Sequence, residues 1–120
     1  MMIDRFRTGP RMSKIVRCSD LIFLSGQTSS GTSLADIVGQ TREVLRRIDE
    51  LLVEAGSDKS RLLSVTIYLR DMNFFGAMNA EWEAWLPEGA APARATVEAR
   101  MASPDLLVEM SVIAATQIRD

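Results

Sequence analysis

Several stretches of the chain alternate apolar and polar residues with the period of two that is typical of β-strands. Residues 13–27 (SKIVRCSDLIFLSGQ) predict two strands joined by a tight turn at Ser19-Asp20, the second apolar enough to be buried on both faces. Two further strands are predicted over about 93–101 and 106–115. Residues 61–72 (RLLSVTIYLRDM) show the cleanest alternation, with one face formed by Leu63, Val65, Ile67 and Leu69.

A long amphipathic helix is predicted between these strands. Apolar residues recur at three- and four-residue steps from Leu34 to Ala55, while arginines and carboxylates occupy the other face. Ser33 with Asp36 resembles a capping box, and Gly56 predicts the C-terminal stop. Residues 28–33 (TSSGTS) before the helix predict a loop.

A second helix is predicted after the strand at 61–72, with Asn73 as its cap and Pro87 and Gly89 at its end. Its large apolar residues have a helical spacing, which favours packing in the core over a ligand platform. These residues are Phe75, Met78, Trp82 and Trp85.

The predicted order of elements, ββαβαββ, indicates an α+β fold with an antiparallel or mixed sheet. Two helices can cover only one face of such a sheet. The other face still carries apolar residues, and so large an apolar surface seldom stays exposed on a monomer. The pattern therefore predicts a homo-oligomer in which uncovered sheet faces meet, with pockets between subunits.

Composition narrows the class of protein. A length of 120 residues predicts one domain, residues 1–120, and 47% hydrophobic with 25% charged residues is typical of a globular protein. The net charge of −2, without a basic stripe, argues against a nucleic-acid partner. No stretch approaches the length of a membrane span and no secretory leader is recognisable, so we expect a cytoplasmic location away from membranes.

The chain contains no histidine and one cysteine, Cys18. These counts exclude Ser-His-Asp and Cys-His catalysis, histidine metal sites and thiolate metal cages. Neither a GxGxxG nor a Walker sequence is present, so no phosphate-binding loop is predicted. Any chemistry must use carboxylates, arginine, lysine, hydroxyls, the thiol or backbone dipoles.

An isolated arginine and an isolated glutamate stand out in the last two strands. Alternation within residues 91–100 (APARATVEAR) places Arg94 on the polar face. A planar guanidinium can bind a carboxylate bidentately, so Arg94 indicates either a carboxylate site or an ordinary ion pair with a surface acid such as Glu98. Glu109 has apolar neighbours on both sides; burial disfavours the charged form of a carboxylate, which favours either acid–base chemistry or a structural ion pair.

Five segments occur in an order and spacing that point to one family. They are IFLSGQTS, DIVGQTREVLRRIDELLVEAGS, LLSVTIYLRDMNFFGAMNAEWEAWLP, PARATVEARM and LVEMSVIAA. From about residue 10 to 115 the chain resembles the Rid/YjgF family of reactive-intermediate deaminases, some of which carry an endoribonuclease label. The resemblance implies a chorismate-mutase-like fold, with two helices on one face of the sheet, and a homotrimeric barrel with pockets between subunits.

The same resemblance implies a reaction that needs no cofactor. Family members hydrolyse 2-imino acids such as 2-iminobutanoate and 2-iminopropanoate, and the enamines that tautomerise to them, to 2-keto acids and ammonia. Arg94 matches the arginine that holds the substrate carboxylate, and Glu109 matches the glutamate that positions and activates water. The residues matching the rest of the pocket are Ser25, Gly26, Asn79 and Thr96.

One residue departs from the family pattern. In the segment GPRMSK, Met12 stands where active deaminases carry a tyrosine whose hydroxyl helps to order the site. The departure predicts a pocket for a bulkier or different carboxylate compound, or slow turnover. Two alternatives follow: a trimeric module that binds a small carboxylate metabolite without turnover, or an enzyme for another aminoacrylate-like or nitrogen-compound intermediate. The acidic balance and the missing histidine argue against ribonuclease activity.

Overall fold

The computed structural model describes residues 1–117 as a six-stranded sheet with two α-helices. The strands are β1 (Ile3–Thr8), β2 (Ser13–Cys18), β3 (Leu21–Gln27), β4 (Leu62–Leu69), β5 (Ala93–Glu98) and β6 (Val108–Ala115), and the helices are α1 (Ile37–Glu54) and α2 (Phe75–Trp85). Among these residues, neither helix is long and apolar enough to cross a lipid bilayer.

The strand order across the sheet is β1-β2-β3-β6-β4-β5. β6 lies between β3 and β4 and pairs antiparallel with both. β4 and β5 are parallel, because α2 carries the chain back between them. β1 and β5 form the two edges of the sheet, so any residue on β5 lies near the rim of the molecule. The predicted α+β fold is confirmed.

The predicted element order was wrong in one respect, because it lacks β1. Ile3 is 48% exposed, and Phe6 is the one side chain of this strand that packs against the core. The alternation of apolar and polar residues in β1 is therefore too weak to predict a strand. Backbone pairing with β2, from Ile3 opposite Cys18 to Thr8 opposite Ser13, holds the strand at the edge. The observed order is βββαβαββ.

Helix α1 begins at Ile37, so the predicted start at Ser33 was wrong. The side chain of Asp36 is the N-cap and accepts a hydrogen bond from Gly39 N at 3.3 Å. The predicted stop at Gly56 is confirmed: its φ of 87° lies in the left-handed region, and its N–H donates to the carbonyl of Val53 at 3.1 Å. The apolar stripe of α1 packs on the sheet, where it buries Val44, Leu45, Ile48, Leu51 and Leu52.

Strand β4 departs from simple alternation at its start. The register with β6 shifts between Leu62 and Ser64, so Leu62 is buried and Leu63 is 44% exposed. The prediction that Leu63 shares the apolar face was therefore wrong. Beyond the shift, alternation holds, and Val65, Ile67 and Leu69 are all buried.

Helix α2 begins at Phe75 without a side-chain cap, so the predicted cap at Asn73 was wrong. Instead, Asp71 accepts a hydrogen bond from Asn73 N at 2.8 Å and caps a short 3-10 turn before the helix. Met78 and Trp82 are buried, as the helical stripe predicted, whereas Phe75 is 40% exposed. This exposed ring lies beside a candidate site residue.

Both helices pack on one face of the sheet, and the other face is uncovered in the single chain. On the uncovered face, Leu21 and Phe23 of β3 are 39% and 38% exposed, and Val97 of β5 is 43% exposed. The prediction that this part of β3 is buried on both faces was therefore wrong for an isolated chain. The remaining apolar surface is the feature from which an oligomer was predicted.

Candidate active site

Glu109 lies on the uncovered face of the sheet, near the start of β6. It is opposite Tyr68 of β4, and its side chain is half-buried. Its other neighbour is Gly26, where the pairing of β3 with β6 is irregular. A Cβ added at Gly26 would lie 3.0 Å from Cδ of Glu109 and nearer still to Oε2. The glycine is therefore what allows the carboxylate to lie against β3.

A cavity of about 300 Å³ opens beside this carboxylate. Within residues 1–117, the Glu109 carboxylate has no ion pair or hydrogen bond, so it is available to a molecule in the cavity. The lining residues are Gly26, Tyr68, Ala99, Arg100, Met101, Glu109 and Ser111. Of the residues predicted from the sequence, the cavity brings together Gly26 and Glu109. Ser25 precedes Gly26 on β3, and its Oγ accepts a hydrogen bond from Gln27 Nε2 at 3.3 Å.

Arg94 lies on the opposite, helix-covered face. In the parallel pairing of β4 and β5, it is level with Val65, which is buried beneath the helices, whereas Tyr68 and Glu109 point the other way. Arg94 Nη1 donates a hydrogen bond to Asn79 Oδ1 at 2.8 Å. A single chain therefore separates the two residues predicted to be catalytic by the thickness of its sheet.

Two aromatic rings flank the guanidinium of Arg94. Its central carbon lies 5.6 Å from the ring centre of Trp82 and 5.8 Å from that of Phe75. These cation–π contacts and the bond to Asn79 fix the side chain from α2. Within residues 1–117, the other N–H groups of this guanidinium have no hydrogen-bond partner, so they can bind an anion at the edge of the sheet.

The two remaining predicted residues lie in different environments. Thr96 is two residues beyond Arg94 on the same face, and its Oγ1 is buried with no hydrogen-bond partner within residues 1–117. Met12 lies in the β1–β2 hairpin turn, is 59% exposed and accepts a hydrogen bond from Gly9 N through its carbonyl. In one chain, Met12 lines neither the Glu109 cavity nor the surroundings of Arg94.

Tyr68, Arg100 and Ser111 line the Glu109 cavity but were not among the predicted site residues. Alternation places Tyr68 on the polar side of β4, yet only the register between β4 and β6 brings it opposite Glu109. Across the described part of the chain, no three acidic or cysteine side chains lie close enough together to hold a metal ion.

Comparison with known proteins identifies the family. The family model described as endoribonuclease L-PSP matches residues 2–116. A RutC family protein of Haemophilus influenzae is 38% identical over 114 residues, covering 95% of this chain and 98% of the relative. The chain belongs to the Rid/YjgF family. RutC family protein YoaB of Escherichia coli is also 38% identical, over 96% of this chain and 99% of its own length.

The three-dimensional comparison agrees with this membership. The crystal structure of NMB1025 from Neisseria meningitidis, a member of the YjgF protein family, superposes with a TM-score of 0.93 at 44% identity. The match covers 99% of this chain and 98% of that one. The Rid/YjgF resemblance predicted from the five segments is therefore confirmed, and so is the fold that it implied.

Proposed function

We propose that this Rid/YjgF protein hydrolyses reactive 2-imino acids, and the enamines that tautomerise to them, to 2-keto acids and ammonia. The observation that carries the proposal is the position of the Glu109 carboxylate, which lies beside a cavity. Within residues 1–117, this carboxylate forms no ion pair. A carboxylate in that position can accept a proton from a bound water. Family membership supports the choice of reaction, and we expect it to take place in the cytoplasm.

The site is completed by a second subunit. Because Arg94 and Glu109 lie on opposite faces of one sheet, one small substrate cannot contact both within a chain. Arg94 is on the edge strand, where it can meet the uncovered face of a neighbouring copy. A homotrimer with a pocket at each interface, as the family resemblance implies, brings the Arg94 of one subunit to the Glu109 of the next.

The chemistry then needs only these two groups and water. Arg94 holds the substrate carboxylate and so fixes the imine carbon near Glu109. Glu109 takes a proton from water while the water oxygen bonds to the carbon of the protonated imine, and the C=N electron pair moves to nitrogen. The resulting carbinolamine passes its hydroxyl proton to solvent as the C–N bond breaks. Glu109 returns its proton to the departing nitrogen, and the products are a 2-keto acid and ammonia.

The other predicted site residues act mainly through these two. Asn79 positions Arg94 by accepting its Nη1–H, and Gly26 leaves room for the Glu109 carboxylate. Ser25 lies next to Gly26 on β3, and the hydroxyl of Thr96 is unpaired beside Arg94 within residues 1–117. Met12 supplies no hydroxyl, so the water is ordered by groups other than the family tyrosine.

A trapping assay tests the reaction. An amino-acid oxidase acting on alanine generates 2-iminopropanoate, and semicarbazide traps whatever imine remains. We expect catalytic amounts of the protein to reduce trapping, and Arg94→Ala and Glu109→Gln to abolish the reduction. Glu88→Gln, on an exposed loop residue, is the matched control and should behave as wild type. Trapping that the intact protein does not change would contradict the proposal, and binding of 2-ketobutyrate without turnover would favour a binding module.

Subunit mixing tests the shared site. Arg94→Ala and Glu109→Gln chains are each inactive, but refolding them together in equal amounts creates interfaces that contain both original residues. For a ring with head-to-tail interfaces, about a quarter of the sites should be restored. No recovery in a mixture that forms hybrid trimers would show that both groups act within one chain.

A further inference from the structure

Arg100 is a cation in the Glu109 cavity that the proposed reaction does not use. It lies just beyond the end of β5, is exposed and lines the cavity together with Tyr68, Ser111 and Glu109. Within residues 1–117, its guanidinium forms no hydrogen bond or ion pair, even though the carboxylate of Glu109 lines the same cavity. Its charge is thus available to an anion that enters the cavity.

The charges of the proposed site indicate what that anion is. A monocarboxylic imino acid brings one carboxylate and, once protonated, one iminium. Together with Arg94, Arg100 and Glu109, these groups leave one positive charge unbalanced. A second carboxylate on the substrate brings the sum to zero. Since a pocket between subunits removes charges from water, the balanced combination is favoured.

We propose that Arg100 is a specificity-determining residue that binds a second carboxylate, so that the preferred substrates are dicarboxylic 2-imino acids. This inference depends on the proposed function for the reaction, but it concerns a different residue. Arg94 holds the carboxylate next to the imine carbon, and Arg100 holds the distal one. The hydroxyls of Tyr68 and Ser111 line the same cavity and can donate hydrogen bonds to that group.

Two substrates that differ by one carboxylate test the proposal. 2-Iminosuccinate and 2-iminopropanoate are generated in place from aspartate and alanine by amino-acid oxidases, and kcat/KM is measured for each by semicarbazide trapping. The readout is the ratio of the two values. We expect the wild-type ratio to favour 2-iminosuccinate and Arg100→Gln to lower it by about 10- to 100-fold, the range for losing a charge-assisted pair. Arg5→Gln, which removes another exposed arginine on β1, is the control.

Equilibrium binding separates this inference from the proposed function. Calorimetry with 2-ketoglutarate and 2-ketobutyrate reports recognition without turnover. Tighter binding of the dicarboxylate that is lost in Arg100→Gln supports the inference, even if no imine is hydrolysed. An unchanged ratio and unchanged binding in Arg100→Gln would overturn it. A smaller oligomer of Arg100→Gln in light scattering would also overturn it, because Arg100 would then hold subunits together.

Discussion

Replacing Gly26 by alanine puts a methyl group into the space that the Glu109 carboxylate occupies. The added Cβ would lie 3.0 Å from Cδ and 3.3 Å from Cγ of Glu109, so the carboxylate has to turn away from β3. The obstructed group is the end of a flexible side chain, so the free energy of unfolding should fall by less than about 1 kcal/mol. A catalytic group displaced by about 1 Å costs on the order of 100-fold in rate, and kcat/KM should fall by that factor.

The assay compares Gly26→Ala with Gly76→Ala. A Cβ at Gly76, in the first turn of α2, would meet no atom within 4 Å. Gly76→Ala should therefore keep wild-type kcat/KM in the trapping assay, with equal or greater stability in urea unfolding. Wild-type turnover by Gly26→Ala would refute the reasoning, because Glu109 could not then act from its observed position. A large loss of stability would also refute it, since the side chain could not have turned aside.

Three further changes test other parts of the molecule. Asn79→Ala removes the acceptor that holds Arg94, so KM for the imine should rise about tenfold while kcat and the melting temperature change little. Gln40→Leu removes a buried amide that bonds two backbone carbonyls and one backbone N–H, and urea unfolding should show a loss of about 2–3 kcal/mol. The pKa of Glu43 is lowered to about 2 by hydrogen bonds from two arginines of α1, so its ion pairs stabilise the fold above about pH 5 and are lost as the pH falls towards 2. Between about pH 5 and about pH 2, the free energy of unfolding should therefore fall less in Glu43→Gln than in the wild type. The difference should be less than about 1 kcal/mol, because such surface pairs are screened by water.

Each of these three predictions has a result that would contradict it. If Asn79→Ala lowers both kcat and the melting temperature, Asn79 has a structural role and does not act by positioning Arg94. Wild-type stability of Gln40→Leu would mean that the loop it bonds, around Asp105, is held in other ways. If the free energy of unfolding of Glu43→Gln falls with decreasing pH as it does in the wild type, other carboxylates cause the acid sensitivity.

The parts of the fold that the sequence predicts are those in which burial on one side imposes a period. The later part of β4 and the apolar stripe of α1 were predicted correctly because their inward-facing residues pack in the core at regular intervals along the sequence. β1 was missed because an edge strand needs little apolar surface when backbone pairing with β2 holds it. The predicted start, with Ser33 and Asp36 as a capping box, was wrong because serine and aspartate both cap helices, and only the geometry of the first turn shows that Asp36 is the N-cap.

The candidate site also has residues that the sequence predicts and residues that it does not. Arg94 and Glu109 could be selected from the sequence because Arg94 is the one cation of β5 and Glu109 is the one charged residue of β6. Alternation assigns faces within one strand but not between two strands. That the two residues lie on opposite faces follows from the parallel pairing of β5 with β4 and the antiparallel pairing of β6 with β4. The contributions of Tyr68 and Arg100 to the cavity depend on the same registers, so no local pattern could predict them.

The position of β6 in the sheet has a consequence for how the chain folds as it is synthesised. Among residues 1–117, β6 is the last strand in sequence, yet it lies between β3 and β4, and its Ala115 pairs with Leu21 of β3. Until residues 108–115 have left the ribosome, β3 and β4 have no partner on their facing edges, and the apolar residues of both remain open to other chains. The sheet therefore closes only after residue 115 has been made. Shortened chains that end before residue 108 should aggregate rather than fold.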